Sequence, residues 1–131
     1  MIVVDASAMT EFLLQTPLGS RVEARLLRNG DDFHAPSLLD VEILQALRRL
    51  VRAGDVLPDR VEEAIEDLAG FDVVRHSHVD LLARAWELRK NLTAYDAMYV
   101  ALAEALDAPV VTCDGPLGAT PGHAARMEVT R

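Results

Sequence analysis

The chain reads as an α/β protein, with a central parallel sheet of about five strands flanked by helices. Two observations predict this. Short runs of consecutive apolar residues, Met1-Ile2-Val3-Val4 and Pro109-Val110-Val111-Thr112, suit strands buried on both faces, because a half-exposed strand alternates apolar and polar residues. Between such runs lie longer stretches with helical spacing, and strands alternating with helices indicate a parallel sheet.

The elements follow in order. Met1–Asp5 is a first strand, and Ser7 is expected to cap the helix after it. Leu18–Arg28 is a second helical piece. Asp31-Asp32-Phe33-His34-Ala35-Pro36 reads as a short strand ended by proline. Ser37 is expected to cap a helix running to about Ala53-Gly54, with glycine as its stop. Pro58–Ala69 is a helix with Gly70 at its end, and Phe71–Arg75 is a third strand. Val79–Arg89 and Ala94–Leu106 are helices, Val110–Thr112 a fourth strand and Met127–Thr130 a fifth. There is no linker and no internal repeat, so one domain covering residues 1–131 is expected.

Composition sets the class. With 131 residues, 50% of them hydrophobic and 26% charged, the chain is long enough to bury a proper core. Cys113 is the only cysteine, which excludes an internal disulfide and suits a reducing cytoplasm. The N-terminal apolar run has no basic flank and stops at Asp5, too short for a secretory leader. No stretch approaches the roughly 18 apolar residues of a membrane span. The net charge of −8 and pI near 4.8 argue against broad nucleic-acid binding, which is largely electrostatic. They leave room for a nuclease, whose bound metal inverts the local sign, and they suit a basic protein partner.

Four acids stand where acids are least expected. Asp5 closes the first apolar run, and Glu42 lies in the helical stretch after Pro36. Asp96 opens the otherwise apolar Ala94–Ala103, and Asp114 follows the fourth strand. Each has an ordinary reading when taken alone. Asp5 suits a helix N-cap, Asp96 a favourable charge at a helix start, and Asp114 a turn in Asp114-Gly115-Pro116. Glu42 suits the polar stripe Glu42, Gln45, Arg49 and Arg52. Together, carboxylates beside a core call for a shared compensator, and a divalent metal bound by oxygen is the economical one. Ligands of parallel sheets gather beyond the strand carboxyl ends, where Asp5 and Asp114 fall.

In its order of motifs the chain resembles the PIN-domain ribonucleases, most closely toxins of the VapBC type. The matching pieces are Val3-Val4-Asp5-Ala6-Ser7, Pro36-Ser37-Leu38-Leu39-Asp40-Val41-Glu42, Tyr95-Asp96-Ala97-Met98-Tyr99-Val100-Ala101-Leu102-Ala103 and Thr112-Cys113-Asp114-Gly115-Pro116-Leu117. The resemblance covers the whole chain and implies a three-layer PIN-like fold. It implies that Asp5, Glu42, Asp96 and Asp114 ligate Mg²⁺ or Mn²⁺, directly or through water, for endonucleolytic hydrolysis of RNA. Ser7 and Thr112 match polar positions that steady the acids by hydrogen bonds. A homodimer and a small cognate antitoxin are further implications. The pattern selects Glu42 over Asp40, which lies about 200° away around the helix. Some relatives carry a further acid after the position of Asp114, where Gly115 and Pro116 stand here; one or two metals stay open, since the carboxylates can hold one ion and share another with substrate phosphate.

Other residues take smaller parts. Arg48, Arg49 and Arg52, with Arg89 and Lys90 as second choices, are the candidates for RNA or partner contact. His34, His76, His78 and His123 lack metal-ligand spacing and are assigned structural or surface roles. Cys113 reads as a small buried residue, and Trp86, with Leu82, Ala85 and Leu88, as core or interface. Two rival functions remain at this level. A phosphotransfer domain would use Asp5 as acceptor, but position 7 is Ser rather than Asp, and the only lysine, Lys90, precedes the fourth strand. A non-catalytic binding module would tolerate loss of an acid, and all four are present.

Overall fold

The computed structural model describes residues 1–131. Five strands, β1 (Ile2–Val4), β2 (Phe33–Pro36), β3 (Val73–His76), β4 (Val110–Thr112) and β5 (Met127–Val129), form one sheet in the order β3-β2-β1-β4-β5. Every neighbouring pair is parallel. The helices are α1 (Ala6–Leu13), α2 (Pro17–Leu27), α3 (Leu39–Arg52), α4 (Pro58–Gly70), α5 (Leu82–Glu87), α6 (Ala94–Leu106) and the short α7 (Gly115–Gly118). No helix is long and apolar enough to cross a membrane.

The strand order explains where a site can form. From β1 the chain winds outward to β2 and β3, then returns across the sheet to β4. The winding reverses between β1 and β4, which pair through Val3 with Val110 and Val4 with Val111. That reversal opens a crevice at the carboxyl ends of these two strands. The connections before β3 form one packed group, with α1 against α2, α3 and α4, whereas α5 packs on α6 and α6 on β1, β2 and β4. Right-handed crossovers put these groups on opposite faces and produce three layers.

The core follows the consecutive apolar runs. Ile2, Val3, Val4, Val110 and Val111 are buried, as is the continuous segment Ala97–Ala103 of α6. A helix buried over so many consecutive positions lies between two layers, here the sheet and α5. Thr93 caps α6 by accepting a hydrogen bond from the Asp96 amide, and Asp107 ends it in the left-handed region at φ 49°. The α3 helix stops where Gly54 adopts φ 79°, as its glycine predicts.

Several expected boundaries move. Ser7 does not cap α1; Asp5 does, accepting from the Ala8 amide, while Ser7 sits inside the first turn. Ser37 does not cap α3 either, because its hydroxyl donates to the His76 carbonyl across the β2–β3 pair. The third strand begins at Val73 rather than Phe71, since Phe71 terminates α4 and stacks on Phe33 with ring centroids 5.3 Å apart. Pro36 remains within β2, in register with His76. The expected helix Val79–Arg89 divides into a 3₁₀ turn at Val79–Leu81 and the shorter α5. Trp86 is not core: it is 68% exposed, with the Arg89 guanidinium 4.4 Å from its ring centre, while Leu81, Ala85 and Leu88 point inward. Trp86 occupies the outer side of α5.

Gly19 marks the closest approach of two helices. A Cβ at this position would stand 2.0 Å from the Glu11 carbonyl oxygen and 2.7 Å from its carbon, whereas one at Gly70 would meet nothing within 4 Å. Backbone cannot yield as a flexible side chain can. Gly19→Ala is therefore expected to destabilise the fold by roughly 2–3 kcal/mol in urea denaturation, with Gly70→Ala close to neutral. Equal midpoints for the two variants would contradict this packing.

Candidate active site

The crevice between β1 and β4 is lined by Asp5, Ala6, Ser7, Glu42, Ala46, Arg49, Asp96, Tyr99 and Asp114, around a cavity of about 270 Å³. All four predicted acids meet here. Each arrives by a different route. Asp5 leaves the end of β1 and Asp114 follows β4, while Glu42 lies in the first turn of α3 and Asp96 in that of α6. Asp5 and Asp114 are also N-caps, so the local readings of these residues hold alongside the shared cleft. Helix starts suit acids because unpaired amides and the aligned peptide dipoles give that end positive character.

Asp5 is the most constrained. It is only 5% exposed and accepts from the Ala8 amide at 3.0 Å, from the Ser7 hydroxyl at 2.7 Å and from the Thr112 hydroxyl. Each hydroxyl has one proton, and both are directed to Asp5. Their oxygens in turn accept the Cys113 amide (to Ser7) and the Asp114 amide (to Thr112), both at 2.9 Å. The 3.2 Å approach of Ser7 to Thr112 is thus the contact of two hydroxyls already committed elsewhere. The network ties the end of β1 to the loop after β4 and fixes the acid between them. Burial nonetheless raises the Asp5 pKa above its ordinary value, with Asp114 adding to the rise and the three hydrogen bonds only partly offsetting it.

The other acids are less enclosed and keep oxygens free. Tyr99, buried in α6, donates to Glu42 Oε1 at 2.7 Å, leaving Oε2 without a partner inside the chain. Asp114 caps α7 through Oδ1, which accepts from the Leu117 amide at 3.0 Å, and keeps Oδ2. Burial raises Glu42 first, with Asp96 and Asp5 adding to it, and it raises Asp96 first, with Asp114 adding. None of the four takes part in an ion pair. Repelling carboxylates with unused oxygens fit a hard divalent cation. As arranged, no three His, Cys, Asp or Glu side chains stand close enough together to hold an ion, so holding one would draw the acids closer.

Among the basic candidates, only Arg49 lines this cleft. Arg48 and Arg52 face a separate depression between α3 and α4, Arg89 lies on Trp86, and Lys90 is exposed elsewhere. Asp40 points away, paired with Arg75 at 2.7 Å. No histidine enters the cleft: His34 Nδ1 and His76 Nε2 pair at 2.8 Å, and His78 Nε2 accepts from the Leu38 amide. Cys113 is half-buried, and burial pushes its thiol up to about 11. Tyr99 also belongs to the site, although its place in an apolar helix gives it no evident role in the sequence. Its signal was a hydroxyl three residues after Asp96 on an apolar helix, where it needed a partner.

The raised carboxyl groups set a pH dependence. An acid whose folded pKa is raised costs stability when ionised; the cost is full above the folded pKa and vanishes below the unfolded one. In metal-free buffer at neutral pH, Asp96→Asn is expected to be more stable than the parent by about 1 kcal/mol or less, because the group is part-exposed and screened. The gap should close as pH falls toward 3.8, the ordinary value for aspartate. Thermal melts in EDTA across that range check it. A variant less stable than the parent at neutral pH would show that the helix start outweighs burial and repulsion.

Comparison with known proteins agrees with this architecture. The PIN domain model matches residues 2–121. Ribonuclease VapC12 of Mycobacterium tuberculosis is 40% identical over 138 aligned positions, covering 98% of each chain. The crystal structure of PAE2754 from Pyrobaculum aerophilum superposes with a TM-score of 0.67 at 25% identity, over 98% of this chain and 83% of that one. That of M. tuberculosis VapC20, a sarcin–ricin-loop-cleaving toxin, gives 0.64 at 20% identity, over 91% and 94%, and so speaks to fold alone. The chain belongs to the PIN-domain family and, within it, to the VapC ribonucleases.

Proposed function

We propose that the chain is a metal-dependent endoribonuclease, the toxin component of a type II toxin–antitoxin pair, with Asp5, Glu42, Asp96 and Asp114 as its catalytic metal site. The observation that carries this reading is four carboxylates from four elements lining one cleft without an ion pair among them. Mg²⁺ or Mn²⁺ is the expected ion, because the available donors are all oxygen. Bound there, such a cation lowers the pKa of water and neutralises charge on the phosphate under attack.

The chain's own residues have definable parts in this reading. Ser7 and Thr112 keep Asp5 oriented and favour its ionised form against the opposing effect of burial, because their protons are directed to it. Tyr99 fixes one oxygen of Glu42 and turns the other to the cleft. Glu42 and Asp96 are raised by burial and by neighbouring acids in the metal-free chain, a cost that a bound cation would offset by favouring their ionised form. With Gly115-Pro116 after Asp114, one tightly held ion is proposed, with substrate phosphate completing any second site.

Two assays test the proposal. With a defined RNA pool, the parent should cleave internally with Mg²⁺ or Mn²⁺ and stop in EDTA. Asp96→Asn should lose at least a hundredfold in rate with its fold retained, on the scale of removing one electrostatic contributor. Parent-like cleavage by the variant would remove Asp96 from the site. The second assay is light scattering, alone and after co-expression with the adjacent small gene. A homodimer is expected alone, with the exposed Leu82 and Trp86 of α5 as candidate apolar contacts. A larger complex with suppressed cleavage is expected with a basic antitoxin helix. A concentration-independent monomer, or an adjacent product that neither binds nor inhibits, would contradict the assembly and toxin parts while leaving the nuclease reading intact.

A further inference from the structure

A second depression, of about 430 Å³, opens beside the acid cleft and is lined by Val41, Glu42, Gln45, Arg49 and Tyr95. Glu42 and Arg49 line both spaces, so a ligand extending out of the acid cleft enters the second one. Tyr95 stands at the second position of α6, immediately before Asp96, and is 65% exposed. Tyr99, one turn later, is 1% exposed with its hydroxyl on Glu42. The two tyrosines of the chain therefore flank Asp96 in opposite states, one buried to hold an acid and the other presenting its ring to solvent. Arg49 is the only basic side chain of the acid cleft, yet it makes no ion pair there.

We infer that this second depression is a nucleotide subsite beside the cleaved bond, in which Tyr95 stacks on a base of single-stranded RNA and Arg49 holds the adjoining phosphate. The inference rests on the nuclease reading above. A chain of net charge −8 must still hold a polyanion at its cleft, and phosphate contact needs a cation at the point of contact. Arg49 provides one, with a planar fork suited to phosphate oxygens. Stacking on an aromatic ring is sequence-tolerant, because every base has a π-face. Gln45, one helical turn before Arg49, offers both a donor and an acceptor to the edge of a stacked base. The depression also has the size range of a small-ligand pocket, about 300–1,000 Å³. A protein contact over the same surface would draw on the exposed Val41 and Leu44, and it would not require a base.

Steady-state kinetics on an RNA that the parent cleaves test the inference, with an abasic nucleotide placed in turn on either side of the cut. For the parent, one abasic position should raise KM roughly five- to a hundredfold, the range of one base–aromatic stack. Tyr95→Ala should raise KM similarly on intact RNA and add nothing on that abasic RNA, while Tyr95→Phe should behave as the parent. Arg49→Ala should raise KM on both RNAs and lower the salt dependence by about one counterion, with Arg49→Lys restoring part of it. Tyr95 is exposed, so unchanged melting temperatures should accompany these effects. If Tyr95→Ala leaves KM unaltered, or raises it equally on intact and abasic RNA, the subsite is overturned. If it changes only the mass measured by light scattering, the surface is a protein contact and the subsite is likewise overturned. Failure of the parent to cleave any RNA is a different result and removes the nuclease reading itself.

Discussion

The mutual repulsion of four carboxylates at one end of the sheet is the constraint on which the site depends. Asp5, Glu42 and Asp96 are raised chiefly by burial and further by one another or by Asp114. A fold selected for stability alone would pair such groups with arginine, as it does elsewhere. Arg25 meets Glu128, Arg75 meets Asp40, and Arg84 meets Glu104. In the cleft Asp5, Glu42 and Asp114 instead receive only hydrogen bonds from hydroxyls and amides, which fix their geometry without cancelling their charge. The unbalanced charge is what a divalent cation would relieve, and it explains why an acidic chain can act on an anionic substrate.

The fold produces this gathering by simple means. Reversing the winding direction between β1 and β4 places two strand ends side by side, and their hydroxyl and carboxylate side chains lock the edge. The starts of α3 and α6 bring the remaining two acids from opposite faces of the sheet, and the Tyr99–Glu42 hydrogen bond joins those faces across the cleft. All four acids stand at helix starts, capping α1 and α7 or lying in the first turn of α3 or α6. Local capping and shared function are therefore not competing explanations. The second oxygens of the carboxylates make both possible.

Much of this was legible in the chain. Consecutive apolar residues marked β1 and β4, which are buried throughout, and strand–helix alternation supplied the outer β3 and β5, whose residues are mostly exposed or partly exposed. The positions of Asp5 and Asp114 after strands, and of Asp96 at a helix start, pointed to one edge. Helix caps were harder to read. Ser7 and Ser37 fit the composition of an N-cap, but the Ser7 hydroxyl donates to Asp5 and accepts from the Cys113 amide in the loop after β4, and the Ser37 hydroxyl donates to the β3 carbonyl of His76. The Cys113 and His76 partners exist only once the sheet has formed. Of the two readings of Trp86, core or interface, its 68% exposure removes only the first. Helical spacing identifies which residues share a face but not how short the helix is, and in the six-residue α5 the inward positions fall to Ala85 and its neighbours. Selecting Arg49 from five basic candidates likewise required the cleft itself.

The central claim is that the four carboxylates share one divalent ion. Anomalous diffraction from crystals soaked in Mn²⁺ tests it most directly. One dominant peak is expected in the cleft, with carboxylate oxygens of Asp5, Asp96 and Asp114 in its inner or water-bridged shell and Glu42 facing it. A dominant peak elsewhere, or none in the cleft at saturating Mn²⁺, would contradict it.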